Sequence, residues 1–191
     1  MRVGLFGGSF DPVHDGHLKL ATAALRQLKL DRVYFIVSPR SPFKAGNRQT
    51  PAARRLALVK LALRRVPKLT AVDWEMKRRG LSYTITTLRA YRRAHPKDEL
   101  FLITGSDALA GFPRWRAPGD IVRLATVVSG RRPGAKWSKL PAALEERVVR
   151  LHGYFPDVSA TEVRAAIAAG RRPKGLSPAV HREILRRGLY R

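Results

Sequence analysis

Gly7-Gly8-Ser9-Phe10-Asp11-Pro12-Val13-His14-Asp15-Gly16-His17 is the stretch that decides the fold. The apolar run Arg2 to Phe6 precedes it and reads as a buried strand ending at the glycines. Leu18, Leu20, Ala21, Ala24, Leu25 and Leu28 follow at helical spacing, so a helix is expected from Gly16-His17 to Leu28. Val33 to Val37 is a second apolar run. Strand, helix and strand in this order form a βαβ unit, with parallel strands and a right-handed crossover. Gly7 and Gly8 let backbone approach a ligand closely. A helix start adds N–H groups without intrahelical partners and a favourable dipole for an anion. The dipole contributes roughly 0.3–1 kcal/mol, which holds a phosphate but does not catalyse.

The same alternation continues along the chain. Ser38 to Thr50 is a long loop at a strand's C-terminal end, and such loops tend to carry function. Thr50 is expected to N-cap a helix with Pro51 at its first position, running to about Val66. Leu69–Asp73, Leu100–Thr104 and Ala125–Ser129 are expected strands, and Ser82-Tyr83-Thr84 opens a helix through Arg93. Farther on, Leu140–Arg147 reads as helix and Leu151–Val158 as a short strand. Ser159 with Glu162 three residues later is a capping box, and Gly170 ends that helix. Ser177-Pro178 starts a last helix, which Gly188 closes. The fold class is α/β, a doubly wound parallel sheet with a small C-terminal helical part. One domain over residues 1–191 is expected, with the C-terminal subregion at about 155–191. Ligands of such sheets bind outside the carboxyl ends of the strands, so Gly7-Gly8, Gly105 and Gly130 should gather on one rim.

Composition narrows the chemistry. No cysteine is present, which removes thiol nucleophiles, disulfides and cysteine-ligated metals. No apolar run approaches the length of a membrane span, and the N-terminus reaches glycine and aspartate too early for a signal peptide. A cytoplasmic protein is expected. Lys and Arg number 38 against 14 Asp and Glu, a formal charge of +24. The cations are spread as pairs, such as Arg54-Arg55 and Arg186-Arg187, without a basic tail or interleaved aromatics. This pattern fits a solvated surface better than a dedicated nucleic-acid module.

His14 and His17 are the chemically distinctive residues. Two imidazoles at a helix start supply directed N–H donors for charge developing on phosphate oxygens. Neither the P-loop pattern nor Gly-x-Gly-x-x-Gly occurs after the first strand, which argues against P-loop NTPases and dinucleotide oxidoreductases. A metal site lacks a visible third ligand, and a purely structural role as helix caps is the simpler alternative.

Gly8-Ser9-Phe10-Asp11-Pro12-Val13-His14-Asp15-Gly16-His17 resembles the first signature of the nucleotidylyltransferase superfamily, and Val158-Ser159-Ala160-Thr161-Glu162-Val163-Arg164 resembles its second. Over nearly its full length the chain is similar to bacterial nicotinate mononucleotide adenylyltransferases. Ser41-Pro42-Phe43-Lys44, Asp73 to Leu88 with Glu75 and then Gly80-Leu-Ser-Tyr-Thr-Ile-Thr-Thr-Leu88, Gly105-Ser106-Asp107 with Trp115, and Arg132-Pro133-Gly134 carry that likeness. Two positions depart from the family pattern: Phe43 stands where many members have His, and Arg116 where many have an aromatic residue.

The resemblance implies a Rossmann-like fold and direct attack by the nicotinate mononucleotide phosphate on the α-phosphorus of ATP, releasing pyrophosphate. It implies ATP contacts from Gly7, Gly8, Ser9, Phe10, His14, His17, Lys44, Gly105, Asp107, Ser159, Thr161 and Arg164, with His14 and His17 catalytic. The acceptor side would comprise Lys44, Tyr83, Thr84, Trp115 and Arg116, the Thr84 helix start taking the nicotinate carboxylate and Trp115 stacking on the ring. Mg²⁺ would be carried mainly by the ATP phosphates, with Asp107 either helping to hold it or binding ribose. ATP and nicotinate mononucleotide are the expected partners, with no membrane and no specific nucleic acid, while homo-oligomerisation stays open. Simpler roles compete at several positions: solvated lysine for Lys44, helix cap for Asp107, core tryptophan for Trp115, and an ion pair with Glu162 or Asp157 for Arg164. Other acceptors, pantetheine phosphate or nicotinamide mononucleotide, also compete.

Overall fold

The computed structural model describes residues 1–42, 49–78, 80–131, 133, 137 and 139–191. Six strands form one sheet: β1 (Arg2–Gly8), β2 (Arg32–Val37), β3 (Leu69–Val72), β4 (Glu99–Gly105), β5 (Thr126–Gly130) and β6 (Val148–Arg150). Their order is β3-β2-β1-β4-β5-β6, and every pairing is parallel. The helices are α1 (Asp15–Gln27), α2 (Ala52–Leu63), α3 (Thr84–Ala94), α4 (Ser106–Ala110), α5 (Pro118–Leu124), α6 (Ala142–Glu145), α7 (Ala160–Ala168) and α8 (Pro178–Arg186).

Side-chain alternation along the strands divides the interior in two. Phe101 and Ile103 of β4 join Phe6 and Phe35 in one core, with Ala21 and Ala24 of α1, Leu56 and Leu63 of α2, Val163 of α7 and Ile184 of α8. Leu100 and Leu102 point the other way, joining Val3, Leu5 and Ile36 with Ile85 and Leu88 of α3 and Ile121 of α5. Burial on both faces is why these strands read as continuous apolar runs. From β1 the chain runs outward to β3 under helices of the first core, then returns to β4 and runs the other way under helices of the second. The strand order therefore reverses between β1 and β4, where helices depart to opposite faces and leave a crevice.

Several boundaries differ from the sequence reading. Helix α1 begins at Asp15, with His14 at its N-cap. Pro51, not Thr50, occupies the N-cap of α2. Thr50 is spent elsewhere: its N–H donates to the Asp11 carboxylate at 3.3 Å and its carbonyl accepts from Arg55 Nε at 2.7 Å. The expected strand at Leu151–Val158 is not formed; the last strand is Val148–Arg150. Gly153 at φ +124° and the missing N–H of Pro156 interrupt a ladder there, while Leu151, Phe155 and Val158 anchor the segment in the first core. The helix expected over Leu140–Arg147 shortens to Ala142–Glu145, with Pro141 at its N-cap.

At the opposite end of the sheet from the crevice, the Met1 ammonium donates to Asp98 Oδ1 at 2.8 Å and the Tyr91 hydroxyl to Oδ2 at 3.0 Å. The ammonium, and then Tyr91, hold the Asp98 carboxyl below its ordinary range. A carboxyl depressed in the folded state stabilises above its unfolded pKa, and that stability is lost as pH falls through the folded value. Asp98→Asn should therefore lower the melting temperature at pH 7, with the gap to wild type closing as the pH drops below about 4. Melting curves at stepped pH check this, and a gap independent of pH would exclude the linkage.

Candidate active site

The crevice at the β1/β4 switch holds two adjoining clefts. One, of about 350 Å³, lies between the β1–α1 loop, the start of α4 and the start of α7. Gly7, Gly8, Ser9, Phe10, His14, His17, Gly105, Asp107, Ser159, Thr161 and Arg164 all line it, and Gly130 completes its rim. The other, of about 870 Å³, is lined by Tyr83, Thr84, Trp115 and Arg116, together with Ser38, Glu75 and Arg114. Gly7, Gly8, Ser9, Thr104, Asp107 and Ala108 line both, so the clefts share a wall. The motifs from opposite ends of the chain and the Ser-Tyr-Thr and Trp segments thus converge on one rim. Lys44, Phe43, Arg132 and Gly134 lie outside the described residues.

The histidine loop is built from the first core outward. The Phe10 ring is buried: its centroid lies 5.3 Å from those of Phe6 and Phe35, and 5.0 Å from His17 in an edge-on contact. Phe10 has φ +48°, so the backbone turns sharply to bury that ring. A Cβ at Gly8 would lie 3.0 Å from Phe10 Cζ, so a side chain there would have to push the Phe10 ring aside. The His14 and His17 rings stack with centroids 3.7 Å apart, and a Cβ at Gly16 would meet His14 Nδ1 at 3.0 Å. His17 Nδ1 accepts the His14 N–H at 3.2 Å. A neutral His17 therefore carries its proton on Nε2, the nitrogen on the other side of the ring. Capping and chemistry are compatible: one nitrogen caps the helix and the other is a donor.

The two helix starts are less open than the sequence implies. At α1 the Asp15 N–H already donates to the Gly175 carbonyl at 2.8 Å. At α7 the Ser159 hydroxyl donates to the Glu162 carboxylate at 2.9 Å and accepts the Glu162 N–H at 3.1 Å. A capping box uses the N-cap and third N–H groups, so those of Ala160 and Thr161 are the ones it leaves for an anion. Arg164 ties the two motifs together: its Nη1 donates to the Asp11 carbonyl at 2.8 Å and its Nη2 to Thr161 Oγ1 at 3.3 Å.

In the larger cleft, Tyr83 is the N-cap of α3 and makes no side-chain cap bond, and its carbonyl accepts the Thr86 N–H at 3.0 Å. Trp115 meets Phe112 edge-on at 5.3 Å and is partly exposed to the cleft. The Arg116 guanidinium lies 4.8 Å over the Tyr83 ring, a cation–π contact on the cleft wall. Glu75 sits in the same wall, buried, accepting the Thr87 hydroxyl at 2.6 Å, and Arg78 donates to that hydroxyl at 3.3 Å.

Sequence reasoning did not single out Glu75, Arg114, Arg55 or Tyr190 as site residues. Arg55 is 1% exposed beneath the histidine loop, and the Tyr190 hydroxyl donates to Asp11 Oδ1 at 2.7 Å. Burial lowers the Arg55 pKa from its ordinary value, against the pull of Asp11, and burial raises that of Tyr190. Tyr190 stands two residues past the helix-closing Gly188, a position with no periodicity to mark it.

A crevice at the switch point of a parallel sheet, with stacked imidazoles at one helix start and a capped start opposite, is where a sheet of this class binds its ligand. The family model described as cytidylyltransferase-like matches residues 5–166, and the chain belongs to that family. Within it the chain belongs with the nicotinate-nucleotide adenylyltransferases. It is 42% identical over 192 residues to the probable nicotinate-nucleotide adenylyltransferase of Thermus thermophilus, covering 100% of both chains. The corresponding protein of Roseiflexus sp. is 40% identical, with 99% of this chain and 98% of that one covered. The nicotinic acid mononucleotide adenylyltransferase of Plasmodium falciparum complexed with NaAD superposes with a TM-score of 0.81 over 99% of this chain and 97% of that one. At 16% identity that likeness speaks for the fold.

Gly175 tests the packing that holds the C-terminal part on the histidine loop. It has φ +67°, and a Cβ there would lie 2.5 Å from Val158 Cγ2. Gly175→Ala should cost roughly 2–4 kcal/mol from left-handed backbone and overpacking together. Denaturant unfolding measures it, and a loss below about 0.5 kcal/mol, the range of an ordinary surface change, would contradict so close an approach.

Proposed function

We propose that the protein transfers AMP from ATP to nicotinate mononucleotide, giving nicotinate adenine dinucleotide and pyrophosphate in cytoplasmic NAD biosynthesis. The observation that carries this reading is the shared wall of the two clefts. A triphosphate in the smaller cleft and a mononucleotide phosphate in the larger one meet at Gly7–Ser9 and Asp107. Direct transfer then needs positioning and charge stabilisation rather than a covalent intermediate.

His17 Nε2–H donates to the phosphate oxygens that gain charge, and His14, stacked on it, contributes the second imidazole. The Ala160 and Thr161 amides and the Arg164 guanidinium hold the far phosphates. The Ser159 hydroxyl, engaged with Glu162, holds the helix start in shape, a smaller part than the resemblance implies for it. Gly7 and Gly105 have open space where a Cβ would stand, which suits close approach of a nucleotide. Lys44 is assigned to substrate phosphates on the resemblance alone. The Thr84 helix start takes the nicotinate carboxylate, Trp115 stacks on the pyridine ring, and Arg116 over Tyr83 supplies positive potential where relatives use an aromatic ring.

Mg²⁺ fits this site as an ion carried by substrate. Among the described residues no group of three or more His, Cys, Asp or Glu could hold a metal. Asp107, exposed on the shared wall, is the side chain that would reach it, with phosphates and water supplying the other ligands. The ion would neutralise charge on the leaving pyrophosphate.

Two outcomes are expected. His17→Ala should lower kcat by roughly 10²–10⁴, the scale of one positioned donor or acid, and near-wild-type turnover of the purified variant would remove His17 from the mechanism. With ATP fixed, the acid mononucleotide should be turned over in preference to its amide, because helix-start N–H groups and Arg116 favour a carboxylate. Side-by-side pyrophosphate release decides the acceptor, and an amide preference would overturn the assignment of Thr84.

A further inference from the structure

One guanidinium gathers the backbone around both clefts. Arg55 projects from the first turn of α2, and its Nε donates to the Thr50 carbonyl at 2.7 Å. Its Nη1 donates to the Ser9 carbonyl and, at 2.9 Å, to that of Ser38; its Nη2 reaches the Pro39 carbonyl at 3.4 Å. Ser9 lies in the shared wall and Ser38 in the larger cleft. The four acceptors come from three separate segments: the histidine loop, the end of β2 and the approach to α2. Beside them, Asp11 Oδ1 accepts the Tyr190 hydroxyl while Oδ2 accepts the Thr50 N–H, and the Ser38 N–H donates to the Gly8 carbonyl at 2.9 Å. No substrate atom needs to touch Arg55 for it to matter. Displacing a reacting centre by about 1 Å can cost 10²-fold in rate.

We propose that Arg55, with the Asp11–Tyr190 pair beside it, is a positioning residue that locks the triphosphate-binding Ser9–Asp11 segment to the backbone flanking the acceptor cleft, so that both substrate sites are set by one anchor. This rests on the two-substrate reading above. A lysine keeps the charge but lacks the planar fork that reaches several carbonyls at once. The buried guanidinium also leaves little room for water to replace the lost bonds.

The test compares wild type with Arg55→Lys and Tyr190→Phe in the full-length protein. Amide exchange of the ligand-free proteins is read at Ser38, bonded to Gly8, and at Thr50, bonded to Asp11, against the β-sheet amides of Leu5 and Leu102 as internal reference. Arg55→Lys should speed exchange at Ser38 and Thr50 together by about tenfold or more, a local opening of the kind exchange reports, with the reference amides unchanged. Tyr190→Phe keeps the ring and removes one bond to Asp11, so both probes should speed by about threefold; it carries the test if Arg55→Lys does not fold. In turnover assays with ATP and nicotinate mononucleotide, kcat per folded molecule should fall at least tenfold in Arg55→Lys, while KM for each substrate changes less than threefold. A residue that only supports stability would shift the melting temperature and leave that kcat unchanged. Exchange rising at one probe alone, or kcat within threefold of wild type in folded Arg55→Lys, overturns the proposal. Wild type without turnover would instead count against the two-substrate reading, and the paired exchange then decides the role of Arg55 by itself.

Discussion

The reversal of strand order at β1 and β4 is the constraint on which the molecule depends. Parallel strands need crossovers, and right-handed crossovers running in opposite directions must cover opposite faces of the sheet. The helices after β1 and β4 therefore diverge, and the carboxyl ends of these two strands face a gap that no helix can fill. The candidate site is arranged around that gap. The β1–α1 loop and the start of α4 form its floor, the C-terminal segment brings α7 over one side, and α3 with the turn carrying Trp115 closes the other. Chain ends far apart in sequence meet because the first core needs α7 and α8 as a second layer beside α1 and α2. Arg164 donating to the Asp11 carbonyl is the bond by which that packing becomes geometry at the site.

In the proposed mechanism one set of atoms in the histidine loop would serve folding and chemistry together. His17 Nδ1 closes the start of α1 by accepting the His14 N–H, and this bond selects the tautomer that presents Nε2–H. The buried Phe10 fixes the path of the loop, and Gly8 and Gly16 make room for the Phe10 and His14 rings. Stability and donor direction are thus not separable contributions here. A substitution that preserves a donor but loses the cap would misdirect it, and one that preserves the cap but changes the ring would lose the donor.

How much of this could be read from residue order varies with the kind of interaction. Strands with both faces buried announce themselves as apolar runs, and the capping box at Ser159 and Glu162 is a local pattern with a local cause, so both were legible. Thr50 had the right residue type for an N-cap, yet its carbonyl and N–H were claimed by Arg55 and Asp11, contacts 5 and 39 residues away. Helices α4 and α5 are too short for a 3.6-residue period to show. Arg55 stands in an Arg-Arg pair among 38 cationic residues, and nothing local distinguishes the buried one from its exposed neighbour. Tyr190 was hidden for the same reason: its meaning lies in a partner that only the fold supplies, the Asp11 carboxylate.

The net charge of +24 takes on a different sense once the clefts are mapped. Most cations lie on the surface, where water and salt screen them beyond about 10 Å. Several described charges in and beneath the crevice are held in place. Arg164 is fixed by the Asp11 carbonyl, Arg116 lies over Tyr83, and Arg55 is enclosed by four carbonyls, while Glu75 is held by the Thr87 hydroxyl. A diffuse positive surface raises the encounter rate with any polyanion and discriminates little among them. Discrimination has to come from the fixed groups, because only they present charge at a set distance and angle. A cation held 4.8 Å over the Tyr83 ring on the cleft wall, as Arg116 is, can therefore bear on selectivity where a surface arginine cannot.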